Sequence, residues 1–153
     1  MVIELGAGTG PVTQALRDGL MAESRIIAVE VDRHLAAALQ AQRPDVEVVA
    51  ADSALLPQLA AARGLPPADA VVATLPWALL APARREVLLT GIGVVLARDG
   101  TFVTLLTLAS LCRRTGRGFL RQVRSRFRDL RLGIAWRHIT PALVLTAHAP
   151  SPP

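Results

Sequence analysis

Apolar residues in this chain gather into short runs that stop at polar, glycine or proline positions, and between the runs they recur at helical spacing. Val2 to Leu5, Arg25 to Val31, Val46 to Ala50, Asp69 to Thr74 and Thr101 to Leu108 read as strands rich in β-branched residues. Val12, Ala15, Leu16 and Leu20 mark a helix after the first run. Further helices are expected at Arg33 to Gln42 (stopped by Pro44), at Ala54 to Arg63 (capped by Asp52 or Ser53) and at Pro82 to Leu96. Gly64-Leu65-Pro66-Pro67 reads as a loop, and Arg98-Asp99-Gly100 as the turn that closes the Pro82 helix. From Cys112 to Arg128 the apolar positions Phe119, Leu120, Val123 and Phe127 keep a helical period. Leu130 to Trp136 and Ala142 to His148 then alternate like a hairpin joined through Arg137 to Pro141.

Strands alternating with helices at this spacing predict an α/β fold: a Rossmann-like, doubly wound, mostly parallel seven-stranded sheet ending in an antiparallel hairpin. One domain is expected over residues 1–149, with a disordered tail at 150–153. The first residue already stands at the edge of a strand, so an N-terminal covering helix is expected to be missing. No apolar run approaches the roughly 20 residues of a membrane span; the longest, Val87 to Ala97, is broken by Thr90, Gly91 and Gly93. No signal peptide is visible, and a cytoplasmic protein is expected. Cys112 is the single cysteine, which leaves no internal disulfide and no cysteine-based metal site; no metal is expected.

Charge is unevenly spread. Residues 1–112 carry 8 arginines against 11 acids, and residues 113–153 carry 9 arginines against Asp129 alone. All 17 basic residues are arginine. A basic C-terminal third on an acidic body suggests a polyanionic partner or surface.

Ligands of a doubly wound sheet sit beyond the carboxyl ends of the strands. Those ends hold Gly6 to Gly10, Glu30 to Asp32, Asp52-Ser53 and Thr74 to Trp77. Glycines at alternate positions let a ligand approach the backbone and aim free helix N–H groups at it. The missing Gly-Lys-Ser/Thr excludes a Walker A loop. Glu30, 20 residues past Gly10, is placed where a carboxylate can accept both hydroxyls of a ribose.

Glu4-Leu5-Gly6-Ala7-Gly8-Thr9-Gly10, Ala28-Val29-Glu30-Val31-Asp32 and Ala51-Asp52-Ser53 together resemble the class I S-adenosylmethionine-dependent methyltransferases. The resemblance implies S-adenosylmethionine as cofactor. Gly6, Ala7, Gly8, Thr9 and Gly10 would approach its methionine part, Glu4 would lie near its ammonium end, and Glu30 would hold the ribose diol. It further implies that Val31 packs on the adenine and that Asp52, beside Ser53, accepts from the exocyclic amine.

The fourth strand end, Thr74-Leu75-Pro76-Trp77, is the acceptor position in this family. It is similar to the Asn-Leu-Pro-Tyr of ribosomal RNA adenine dimethyltransferases, with Thr74 in place of the asparagine and Trp77 as the aromatic that would stack on a base. Leu75 to Leu80, Ala97 to Phe102 and Trp136 to Ala142 resemble bacterial phospholipid N-methyltransferases. That likeness implies methylation of phosphatidylethanolamine at the inner membrane face, with RNA adenine methylation, or a truncated paralogue that only binds cofactor, as alternatives. Arg113, Arg114, Arg117, Arg121, Arg124, Arg126, Arg128 and Arg131 would meet an anionic bilayer, and Phe119, Leu120, Val123 and Phe127 would either insert there or pack on the sheet. The same arginines suit an RNA backbone. His138 and Trp136 read as ordinary hairpin and core residues, and no general base is named by the sequence.

Overall fold

A computed structural model describes residues 1–107, 113–135 and 142–150. The expected hairpin connection, with Trp136 and His138, lies outside the described residues, as does Cys112. In chain order the elements are β1 (Val2–Leu5), α1 (Pro11–Gly19), β2 (Ile26–Glu30), α2 (Arg33–Gln42) and β3 (Glu47–Ala50). A 3-10 turn at Ser53–Leu55 leads into α3 (Leu56–Ala62), followed by β4 (Ala68–Ala73), α4 (Pro82–Val95) and β5 (Leu96–Thr107). Then come α5 (Arg114–Arg126), β6 (Phe127–Ala135) and β7 (Ala142–Pro150).

Among the described residues the strands form one seven-stranded sheet in the order β3-β2-β1-β4-β5-β7-β6. The first five are parallel, and β7 runs antiparallel to both β5 and β6. The chain reverses its direction of winding between β1 and β4, the switch point at which such sheets bind ligands.

Every residue of β2 is buried, because helices cover both faces of the sheet. Ile27 and Val29 point into the larger core with Leu56 of α3, Leu88, Leu89 and Ile92 of α4, and Phe119 and Val123 of α5. Ile26 and Ala28, one step out of phase, meet Leu39 of α2 and Leu16 of α1 in a second core on the opposite face.

Two boundaries differ from the sequence expectation. The turn read at Arg98-Asp99-Gly100 lies inside β5, where pairing with β4 slips between Ala68 and Ala70. Gly100 there approaches the neighbouring strand so closely that a Cβ would stand 2.9 Å from the Ala68 carbonyl oxygen. The last strand pair starts at Phe127 instead of Leu130, and its pairing slips between Arg128 and Arg131, around Asp129 with its left-handed φ of 51°. Helical apolar spacing continues through Phe127, so periodicity alone cannot see that the backbone has already become extended there.

Aromatic packing ties the β4 end to this region. The Trp77 ring stacks on Phe119 at 4.5 Å and meets Phe102 edge-on at 6.2 Å, and Phe102 stacks on Phe127 at 5.2 Å. Trp77 Nε1 donates to Thr104 Oγ1 at 2.7 Å, and Thr104 donates in turn to the Ala73 carbonyl at 2.5 Å. Thr104→Val keeps the shape and leaves the indole N–H buried without an acceptor, so it should cost about 1–3 kcal/mol of unfolding free energy in denaturant titration. An unchanged midpoint would mean that the hydrogen bond does not hold the ring.

Candidate active site at the carboxyl ends of the strands

The turn after β1 runs through three glycines with left-handed backbone: φ is 76° at Gly6, 56° at Gly8 and 89° at Gly10. A Cβ at Gly6 would meet Leu75 Cδ2 at 2.9 Å and one at Gly10 would meet Leu39 Cδ1 at 2.4 Å, whereas one at Gly8 would meet nothing within 4 Å. Gly6 and Gly10 are therefore packed against protein, while Gly8 faces open space. Gly10 is also the N-cap of α1 and offers no side-chain cap to that helix.

Glu30 closes the turn from β2. Its Oε2 accepts from the Gly8 N–H at 2.8 Å and its Oε1 from the Asp32 N–H at 2.9 Å. Each carboxylate oxygen retains a lone pair, so the group can still accept two further donors, the number a ribose diol presents. Beside it Val31 is 68% exposed, an apolar side chain left uncovered at a strand end.

Glu4 is fully buried one strand away, where Oε2 accepts from Thr13 Oγ1 at 2.6 Å and Oε1 has no partner. Burial holds its carboxyl above the usual glutamate range; hydrogen bonds from Thr13 oppose the rise, and the Glu30 charge adds to it. An acid with an unused buried oxygen beneath the glycine turn suits a cationic or donor group on a ligand.

Asp52 caps the 3-10 turn by accepting from the Ala54 N–H at 2.9 Å and forms an ion pair with Arg84. The Arg84 guanidinium, and secondarily the Ala54 N–H, hold its carboxyl below the usual aspartate range. Gly6, Val31, Asp52, Ser53, Leu75, Pro76, Leu80, Arg84 and Leu88 line one cleft of about 230 Å³. All four strand ends selected from sequence thus contribute to one cleft, and Arg84 and Leu88 of α4 form its remaining wall. Arg84 was not singled out from sequence; an arginine among many in an Arg-rich chain carries no mark until the fold sets it opposite Asp52.

Other expected residues stand elsewhere. Ala7 is a core residue against α2, and Thr9 is exposed on the turn. Thr74 Oγ1 donates to the Gly6 carbonyl at 2.6 Å and its N–H to the Leu5 carbonyl at 2.9 Å, so its side chain pins the glycine turn to the end of β4. Trp77 is 1% exposed, and its ring is used up in the stack on Phe119. That burial differs from the expectation of a ring free to stack on an acceptor. The physical reason is that Thr104 and the phenylalanines offer the indole a dry site with a hydrogen-bond partner. In α5 the residues Gly116, Phe119, Leu120 and Val123 are buried, so the apolar face is taken by the core and not available to a bilayer. Arg113, Arg114, Arg117, Arg121, Arg124, Arg128 and Arg131 remain exposed, while Arg126 pairs with Glu86. No helix among the described residues is long and apolar enough to cross a membrane.

No protein-family model matches the chain. It is 34% identical over 126 residues to an ornithine lipid N-methyltransferase of Singulisphaera acidiphila, an alignment covering 80% of this chain and 66% of that protein. It is 42% identical over 89 residues to ribosomal RNA small subunit methyltransferase A of Kineococcus radiotolerans, covering 54% of this chain and 27% of that one. The chain thus spans less than two thirds of the length of either relative. Among solved structures, the N-methyltransferase NodS from Bradyrhizobium japonicum in complex with S-adenosyl-L-homocysteine matches with a TM-score of 0.75 at 16% identity, over 98% of this chain and 78% of that one.

The raised Glu4 carboxyl has a consequence for stability. A group that holds its proton more tightly when folded contributes stability below its ordinary value of 4.5 and loses it as the pH rises through the folded value. Glu4→Gln, which keeps an acceptor for Thr13, should raise the melting temperature in neutral buffer, with the gain disappearing in acid below the ordinary glutamate value. A lowered melting temperature in neutral buffer would mean that ionised Glu4 stabilises the fold.

A glycine turn bridged by one strand-end acid, a second buried acid beneath it, a third across the cleft and a 3-2-1-4-5-7-6 sheet thus give the chain the fold of the class I S-adenosylmethionine-dependent methyltransferases, and in sequence it is similar to two methyltransferases.

Proposed function

We propose that this chain transfers a methyl group from S-adenosylmethionine to the amine of a membrane lipid head group, phosphatidylethanolamine or a related amino lipid. The cradle formed by Gly8 and Glu30 carries the cofactor part of the reading: open space over Gly8, two spare acceptor positions on Glu30 and an uncovered Val31 beside them. In this reading Glu30 takes the ribose hydroxyls, Val31 lies against the adenine, and Asp52 accepts from its amine. The unused oxygen of Glu4 faces the ammonium end, and Gly6 to Gly10 accommodate the methionine part. When bound, the cofactor supplies an already activated methyl, so the protein's task is to hold an acceptor in line with it and keep water out.

Thr74, Leu75 and Pro76 form the acceptor side of the cleft. Thr74 contributes by fixing the two loops to each other, and Trp77 by anchoring the segment in the core. The lipid acceptor is supported by the 34% identity to a lipid N-methyltransferase across most of the chain and by the exposed arginines of α5 and β6. Each arginine near an anionic leaflet is worth about 1 kcal/mol of attraction. An RNA base as acceptor is favoured less, since Trp77, the aromatic beside the cleft, is packed away from solvent.

Calorimetry with S-adenosylmethionine should give saturable binding. Glu30→Ala, which removes charge-assisted hydrogen bonds worth about 1.5–3 kcal/mol, should weaken it by roughly tenfold to a hundredfold. Labelled methyl should then appear in phosphatidylethanolamine or ornithine-lipid vesicles and not in ribosomal RNA. Label found only in RNA would overturn the lipid reading, and absence of cofactor binding would leave the chain as a remnant of the family.

A further inference from the structure

A second cleft, of about 470 Å³, opens on the other side of α4 and is lined by Pro82, Arg85, Arg114, Thr115, Gly118, Arg121 and Gln122. Its size falls in the roughly 300–1,000 Å³ range of small-molecule sites. Pro82 begins α4, and Arg114 and Thr115 begin α5, so the starts of two helices of 14 and 13 residues converge on it. Neither helix has a side-chain cap, and each therefore presents the positive end of its dipole to the cleft.

None of the described residues that line the cleft is an acid. Arg85 is only 3% exposed: its Nη1 donates to the Thr115 carbonyl at 2.6 Å, and its Nε is buried without a partner. A guanidinium removed from water with no counter-charge is costly, and the cost falls when an anion enters. Arg114 and Arg121 flank it on α5, exposed and with no hydrogen-bond or ion-pair partner among the described residues. The nearest acid on α4, Glu86, is already engaged by Arg126 and by Gln122 Nε2 at 3.1 Å. A Cβ at Gly118 would make an ordinary 3.7 Å contact with Arg85 Nη2, so the end of the guanidinium lies against this point of α5.

Position relates this cleft to the acceptor. Arg84 lines the cofactor cleft and its chain neighbour Arg85 lines this one, so the two sites flank the same first turn of α4. Leu79, 81% exposed on the segment leading into α4, offers an apolar contact that suits an acyl chain better than a sugar–phosphate backbone.

We propose that this cleft holds the oxyanion of the acceptor lipid's head group, with Arg85, Arg114 and Arg121 as its ligands, an inference that rests on the lipid reading above. A zwitterionic amino lipid would then be held at two points, its anion between α4 and α5 and its amine over Leu75-Pro76. The anion is either the phosphodiester of an ethanolamine phospholipid or the free carboxylate of an amino-acid lipid; both are planar or forked acceptors that match guanidinium donors.

The test is a titration of the full chain with glycerophosphoethanolamine, and separately with N-acetylornithine, followed by NMR of the arginine Nε–Hε signals. Saturable shifts confined to Arg85, Arg114 and Arg121 are expected with at least one of the two, and which one responds identifies the phosphate or the carboxylate as the anion. The exposed pair Arg114→Ala/Arg121→Ala should weaken binding at least tenfold and raise KM for lipid vesicles, with cofactor affinity unchanged. Arg85→Lys, checked for an unchanged melting transition, should weaken it as well. No saturable shift with either compound, equal shifts across all exposed arginines, or unchanged affinity in the double variant would overturn the site. Tighter binding of a short RNA through the same three arginines would overturn the lipid as its source. Methylation of lipid without these shifts would remove the anion site and leave the activity standing; the shifts without methylation would do the reverse.

Discussion

Helices cover both faces of the sheet, and this burial constrains everything else in the molecule. A strand buried on both sides has no place along its length for exposed polar chemistry, so function is confined to the strand ends. Glu4 is the exception that makes the constraint visible. It lies within β1, is fully buried, and its one hydrogen-bonded oxygen depends on Thr13 at the start of α1. An acid at such a place, with its ionisation disfavoured by burial, detracts from the stability of the fold at neutral pH.

The strand ends are then held in register with one another by a few polar ties. Glu30 grips the glycine turn from β2, and Thr74 grips the same turn from β4. The Trp77–Thr104–Ala73 chain fixes the segment after β4 to β5. Each tie crosses between elements distant in sequence. The walls of the cleft at the strand ends are thereby set by the sheet as a whole, and loop composition plays a lesser part.

These distances also explain what the sequence reveals and what it hides. Strand and helix order, the glycine turn and the acids Glu4, Glu30 and Asp52 are legible because each is a local signal: a run, a period, a residue at a run's end. Arg84 and Arg85 carry no such signal, since their roles come from what the end of β3 and the start of α5 place opposite them. Trp77 is misleading for a related reason. An aromatic after Leu-Pro looks available in sequence, yet Phe119, 42 positions later, covers its face. Phe127 continues a helical period while belonging to a strand, because burial against Phe102 suits both backbones.

The exposed arginines of α5 and β6 carry a charge that proton chemistry cannot switch. A guanidinium stays protonated at any pH a cell reaches, and with no lysine in the chain there is no side-chain amine to acetylate. Attraction between this face and an anionic partner is therefore governed by ionic strength and by the partner's own charge, fading over a screening length of about 8 Å in physiological salt. An anionic surface held by this face would be released by a change in that surface, or in the salt between them.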